Sequence, residues 1–133
     1  MTSSEIGKRL LPAMERLGIR PDLIEEISGI EERRVWNSDT QPSDAATLAA
    51  EKAIQEAGIE RDKIGVLINT SVCRDYLEPS TACLVHGNLG LHERCLNFDI
   101  GNACLAFLNG MDVAARMIER GEVEYALIVD GES

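Results

Sequence analysis

The stretch Cys95-Leu-Asn-Phe-Asp99-Ile-Gly-Asn-Ala-Cys104-Leu-Ala-Phe-Leu-Asn-Gly-Met111 decides the fold. Residues 95–99 are short and largely apolar, as a buried parallel strand is. A tight turn around Gly101 follows. From Ala103 to Met111 there is no charge, and the pattern from Asp112 to Arg120 is amphipathic, so a helix is predicted over Ala103 to Arg120. Lys63 to Asn69 and Tyr125 to Val129 read as two further strands, and Ser80 to Asn88 as a helix between the first two. The order β-α-β-α-β predicts an α/β fold with a parallel sheet and right-handed crossovers.

Upstream, Ile6, Leu10, Leu11, Met14 and Leu17 recur at helical spacing after Ser3 and Ser4, so Glu5 to Leu17 is expected to be helical. Pro12 should kink or restart that helix, and Gly18 should end it. Asp22 to Ile27 is a short segment between Pro21 and Gly29. Ile30 to Asp39 is charged, holds the single Trp and reads as extended or irregular. Ser43 is a suitable N-cap for an alanine-rich helix, Asp44 to Ala57, closed by Gly58.

The uncharged part of the last helix carries an implication. A helix apolar on all sides has to be covered on all sides, and a three-stranded sheet covers one. Further material is therefore expected: more chain, a partner subunit, or both.

Composition excludes several functions. The 133 residues carry 13 basic and 23 acidic side chains, a formal net charge of −10. A nucleic-acid binder needs a basic footprint for the phosphates, so no nucleic-acid partner is expected. Any anionic ligand would depend on local arginines, of which Arg33, Arg34 and Arg74 are the candidates. No apolar run approaches the roughly 20 residues of a membrane span, and the N-terminus does not read as a signal peptide. The four cysteines, Cys73, Cys83, Cys95 and Cys104, include no C-x-x-C pair and are expected to be reduced thiols in a cytoplasmic protein. Cys83-x-x-His86 and His92-x-x-Cys95 look like halves of a zinc site. Only five residues separate them, fewer than common zinc fingers use, so no metal is expected.

Cys104 lies at or near the first turn of the predicted helix. Free backbone amides and the helix dipole there favour a thiolate, which is the nucleophilic form. Gly101 and Ala103 would let a substrate carbonyl approach closely, as at a serine nucleophile elbow. A small buried hydrophobe is the alternative. A nucleophile needs a base or an oxyanion-stabilising partner. Only His86 and His92 are available, and neither lies in a pattern that marks it. The second candidate, Glu78, follows a strand's C-terminal end, where open α/β sheets bind ligands. Glu78 could equally be a carboxylate complementing a helix dipole.

Asp99-Ile-Gly-Asn-Ala-Cys104-Leu-Ala-Phe resembles the nucleophile motif of the ketoacyl-synthase-III branch of the thiolase superfamily. The stretches Ser28-Gly-Ile-Glu-Glu-Arg-Arg34, Ile59-Glu-Arg-Asp-Lys-Ile-Gly65, Pro79-Ser-Thr-Ala-Cys83 and Arg120-Gly-Glu-Val-Glu-Tyr-Ala-Leu127 follow in that family's order and spacing. Within the branch, residues 68–81 and 102–111 are most similar to the long-chain acyl-CoA thiolases of bacterial olefin biosynthesis.

The resemblance implies a thiolase-like three-layer α/β/α fold. The chain would cover most of the family's first half, without that half's first and last strands and without the C-terminal half. It implies an acyltransferase that joins two fatty acyl-CoA thioesters by non-decarboxylative Claisen condensation. Cys104 would be the acylated nucleophile and Glu78 the α-proton base, reaching the neighbouring site of a homodimer. An unactivated α-proton needs such a carboxylate, best desolvated. No cofactor is implied beyond the coenzyme A or acyl-carrier-protein thioester substrates. The family's oxyanion-stabilising His and Asn have no match here. The Trp and Arg that hold the adenine in the initiating synthases are replaced by Leu23 and Ile27, which leaves the cofactor-binding residues unassigned. Two alternatives are a ketoacyl synthase III that starts fatty-acid synthesis and a non-catalytic structural half.

Overall fold

The structure, a computed structural model, describes residues 1–132. They form two compact units, Met1–Asn37 and a second from Ser38 onward.

In the first unit, α1 (Ser3–Leu17) is followed by α2 (Leu23–Ser28). Thr2, rather than Ser3 or Ser4, caps α1: its hydroxyl accepts from the Glu5 amide, and the Glu5 carboxylate accepts from the Thr2 amide. Ser3 instead donates from its backbone amide to Glu31 and from its hydroxyl to the Ile30 carbonyl. Helix α1 runs through Pro12 as one element. The capping box at one end and the left-handed Gly18 at the other satisfy terminal groups that a restart would leave open. Residues 30–37 form no helix and make one antiparallel bridge, from Thr2 to Glu32; Ser38 and Asp39 form a turn.

The second unit holds α3 (Pro42–Ala57), β1 (Ile64–Asn69), α4 (Thr81–Leu89), β2 (Leu96–Asp99), α5 (Ala106–Glu119) and β3 (Tyr125–Val129). The strands form one parallel sheet in the order β2-β1-β3, as expected. Ser43 is not the N-cap of α3. Gln41 takes that place in a capping box with Asp44, and Ser43 turns its amide and hydroxyl to the Asp75 carboxylate.

The sheet separates two apolar layers. On one face Leu67, Leu127 and Val129 pack with Ala46, Ala50 and Ile54 of α3 and Ala82, Val85 and Leu89 of α4. On the other, Val66 and Ile68 meet Ala114, Val113 and Met117 of α5. This is the three-layer α/β/α arrangement. Burying each large aliphatic side chain contributes about 1.5–3 kcal/mol. Gly110 lets α5 lie close: a Cβ there would stand 3.1 Å from Thr70 Cγ2 and 3.3 Å from Ile128 Cγ2.

The covered stripe of α5 is Ala106, Gly110 and Ala114, spaced by four. Leu105, Phe107, Leu108 and Met111 are 57, 42, 59 and 49% exposed. The uncharged helix is thus covered on one side among the described residues, and its outward side is bare. No described helix is long and apolar enough to cross a membrane.

Candidate active site

Because the three strands are parallel, their C-terminal ends share one edge of the sheet. Three loops leave from that edge. Thr70 to Ser80, after β1, carries Glu78. Ile100 to Leu105, after β2, carries Cys104. Asp130 to Glu132 follow β3.

Cys104 sits in a 3-10 turn, Ala103–Leu105, immediately before α5 rather than within its first turn. The turn is entered through Ala103 at φ +43°, a left-handed conformation that costs an L-residue roughly 1–2 kcal/mol. Asn102 precedes it, and its side-chain amide donates to Asn109 Oδ1 of α5 at 2.7 Å. The bend replaces the regular helix start expected from sequence and leaves Cys104 exposed. The buried-hydrophobe alternative therefore does not describe this thiol. It does describe Cys95, which lies in the α3/α4 core with its thiol pushed up by burial.

Glu78 is also exposed and immediately precedes Pro79, Ser80 and α4. Ser80 caps α4, its hydroxyl accepting from the Cys83 amide at 3.2 Å. Three carboxylates brace the Glu78 loop. Asp75 accepts from Ser43 at 2.9 Å (amide) and through its hydroxyl. Glu132 accepts from the amides of Val72 and Cys73 at 2.6 and 3.1 Å. Asp99 accepts from the amides of Thr81 and Ala82 at 3.0 and 2.8 Å. Burial alone would raise the Glu132 carboxyl, but its amide bonds outweigh that and hold it below its ordinary value. Asp130 is pushed up, by burial first and then by the charge of Glu132.

A buried polar chain ties these loops together. Asn69 Nδ2 donates to Asp99 at 3.2 Å, Ser71 Oγ donates to Asn69 Oδ1 at 2.7 Å, and the Gly131 amide donates to Ser71 Oγ at 2.7 Å. Thr81 Oγ1, fully buried beside it, has no partner among the described residues.

The sequence candidates thus divide. Cys104 and Glu78 share one edge, on loops from adjacent strands. His86 and His92 do not join them. His86 lies late in α4 and His92 ahead of β2, both toward the opposite edge, where His86 Nε2 contacts the His92 carbonyl at 3.2 Å. Among the described residues no three His, Cys, Asp or Glu side chains converge as a metal site. Arg33 donates to Ser3 Oγ within the first unit. Arg34 lines a cavity with Val35 and Trp36. Arg74 belongs to the second unit, and its guanidinium would stand 3.7 Å from a Cβ built on Gly101, in the Cys104 loop. Sequence reasoning missed Asp75, Asp99 and Glu132. The polar run Asn69-Thr70-Ser71 at the end of an apolar strand was the available signal.

A parallel sheet between helix layers, with a cysteine on a turn leading into a sheet-packed helix, is the arrangement of part of a thiolase-type fold. The family 3-oxoacyl-[acyl-carrier-protein] synthase III matches residues 98–133. Over all 133 residues the chain is 61% identical to an acyl-CoA:acyl-CoA alkyltransferase of Xanthomonas campestris and 40% to one of Shewanella oneidensis. It is 39% identical over 102 residues to a β-ketoacyl-[acyl-carrier-protein] synthase III of Geobacillus kaustophilus. The crystal structure of cerulenin-bound Xanthomonas OleA superposes on the entire chain with a TM-score of 0.91, as does a FabH from Xanthomonas oryzae. The chain is similar over its whole length to proteins of the ketoacyl-synthase-III branch of the thiolase superfamily and carries part of their fold. The two acyl-CoA:acyl-CoA alkyltransferases match over the whole chain, whereas the Geobacillus kaustophilus synthase matches over 77% of it. It spans 39% of the length of the Xanthomonas campestris relative.

Proposed function

We propose that this chain supplies the nucleophile and the carbon-acid base of an acyltransferase that condenses two fatty acyl-CoA thioesters. Identity of 61% over the whole chain to an acyl-CoA:acyl-CoA alkyltransferase carries this reading. The placement of Cys104 and Glu78 on neighbouring loops at one sheet edge supports it.

The deprotonated Sγ of Cys104 attacks the first acyl carbonyl, and coenzyme A leaves as its thiolate. Glu78 takes a proton from the α-carbon of the second acyl-CoA. The resulting carbanion attacks the acyl-Cys104 carbonyl and expels the cysteine thiolate, leaving a 2-alkyl-3-oxo thioester. Both steps develop negative charge on an oxygen that needs preorganised donors. His86 and His92 are badly placed for that, so the oxyanion donors are assigned to the remainder of the complete protein. The 133-residue chain alone is inactive in this reading. The complete protein would be a cytoplasmic homodimer, with no resident cofactor and with glutamate reaching across the dimer.

Intact mass spectrometry of the complete enzyme with long-chain acyl-CoA tests the assignment. One acyl adduct is expected, absent in Cys104→Ala and retained in Glu78→Ala, which should fail to couple the second chain. An adduct that persists in Cys104→Ala moves the nucleophile elsewhere. Coupling by the isolated chain would overturn its assigned inactivity. A second reading, an initiating 3-oxoacyl synthase III, is favoured by the match over residues 98–133. Malonyl-carrier dependence with acetyl priming would select it. A third, a non-catalytic structural half, rests on the bare face of α5. Failure of the complete protein to form any adduct would select that one.

A further inference from the structure

We propose that Asp75 is a positioning residue for the base: it fastens the Glu78 loop to the body of its own chain and so fixes how Glu78 is presented to the neighbouring subunit's site. This rests on the roles proposed for Glu78 and Cys104 and on the reach of Glu78 across the dimer. In such a dimer the subunit interface sets where Cys104 of the partner subunit stands relative to this chain's body. What remains to be fixed is where the tip of the base loop stands on that body.

From Thr70 to Ser80 the chain forms no helix or strand, so side-chain anchors have to shape it. Its tip is open: Tyr76 and Leu77 are 61 and 83% exposed, and Glu78 is exposed with them. Asp75 is the half-buried residue directly before that tip, three positions ahead of the base. Its Oδ1 accepts from the Ser43 amide at 2.9 Å and its Oδ2 from the Ser43 hydroxyl. Ser43 is the second residue of α3, so its amide is a donor that helix geometry leaves open, and the positive end of the helix strengthens a carboxylate's hold on it.

The post to which Asp75 ties the loop is itself held fast. Ser43 is buried, and Ala46 and Ala50 in the next turns of α3 are fully so. Gly131, after β3, lies so near α3 that a Cβ on it would collide with the Pro42 carbonyl oxygen and the Ala46 amide nitrogen. The next residue, Glu132, holds the Val72 and Cys73 amides, so the first half of the base loop is fastened to α3 and to the end of β3 together. The start of α3 has its own capping box, Gln41 with Asp44, so the Asp75 bonds are not needed to begin the helix. They serve the loop. Their loss frees Tyr76 to Glu78 to swing, and a misplacement of about 1 Å can cost on the order of 100-fold in rate. Acylation of Cys104 uses no carbon base, so the loss falls on coupling.

Mixed dimers of the complete protein test this, because base and nucleophile then come from separately altered chains. In the reference pair one chain carries Cys104→Ala and supplies Glu78, while the other carries Glu78→Ala and supplies Cys104. Asp75→Ala added to the chain that supplies Glu78 should cut coupling about 100-fold, in kcat rather than in KM, with acylation within about 3-fold of the reference pair. Asp75→Ala added to the chain that supplies Cys104 should leave both rates within about 3-fold. A general structural role predicts the same loss from either chain. Equal losses, a loss from the Cys104-supplying chain alone, or no loss overturns the inference. Should Asp75→Ala prevent assembly, Ser43→Ala makes the same comparison from the helix side, removing the hydroxyl arm and leaving the carboxylate. A coupling loss confined to the chain that supplies Glu78 supports the inference, and any other pattern overturns it. If the reference pair forms the acyl adduct but does not couple, while the parent dimer does, Glu78 does not act across the dimer and the reading beneath the inference fails instead.

Discussion

The two faces of the sheet are built from similar residues and finished differently. Toward α3 and α4, Leu67 is covered by two helices, whose Ala46, Ala50, Ala82 and Val85 are fully buried. Toward α5, Val66 and Ile68 are equally buried, but the covering helix turns Phe107, Leu108 and Met111 outward, and Leu105 just before it is exposed too. The closed face is a completed core. The open one is a core layer with a second apolar surface behind it. Cys104 sits at the start of the open-face helix and Cys95 lies inside the closed face, so thiol chemistry reports the contrast directly.

The largest expected difference is in alkylation. With iodoacetamide at mildly alkaline pH, Cys83 and Cys104 should react at least 100-fold faster than Cys95, because a thiolate must form and be reached before it reacts. Peptide mapping after timed quenching measures this. Comparable rates at Cys95 would mean that the closed face opens readily.

Truncation should separate the faces next. Leu67→Ala leaves a cavity among α3, α4 and β3 and should destabilise the chain by about 2–5 kcal/mol in urea unfolding. Leu108→Ala removes a side chain already in water and should stay within about 0.5 kcal/mol. The same Leu108→Ala substitution in the complete protein sharpens the comparison. A cost there of about 2 kcal/mol or more would mean that the outward side of α5 is covered by other protein. A cost within about 0.5 kcal/mol would leave it a free surface.

A smaller effect is expected at Thr81, where the closed face meets the site edge. Its buried hydroxyl has no partner among the described residues, and an unpaired buried hydroxyl costs about 1–3 kcal/mol. Thr81→Val keeps the shape and both amide bonds, and should raise stability by about 1 kcal/mol. A loss of stability would identify a bound water or another group as the missing partner.

The parts legible in the sequence are those governed by periodicity. Tyr125–Val129 matches its expected bounds, and β1, β2 and α4 begin within one residue of theirs. The bare side of α5 was legible too, because nine uncharged residues exceed what one sheet can cover. What failed was choice among local partners. Ser43 has the side chain of an N-cap, but Asp75, 32 residues away, competes for it, and Gln41 with Asp44 serves the helix. Asp99 reads as a strand end; its bonds to Thr81 and Ala82 exist only because β1 and β2 are neighbours. The turn at Cys104 was hidden for the opposite reason. Nothing in Asn102-Ala103-Cys104 asks for a left-handed residue, and alanine is a poor choice for one.

That turn gives the smallest effect on stability and the sharpest separation of stability from function. At φ +43°, Ala103 carries roughly 1–2 kcal/mol of strain that glycine would relieve. Ala103→Gly also frees the unfolded chain, a loss of about 0.4–1 kcal/mol. The two nearly cancel, so the variant should unfold within about 0.5 kcal/mol of the parent. Catalysis follows a different rule. The Asn102–Asn109 bond ties the turn to α5, and glycine at position 103 gives the backbone just before Cys104 further conformations. Thioester formation in the complete enzyme should therefore slow several-fold at unchanged stability. A variant equal to the parent in both respects would show that the bend serves the entry into α5 and that the thiol needs no fixed aim.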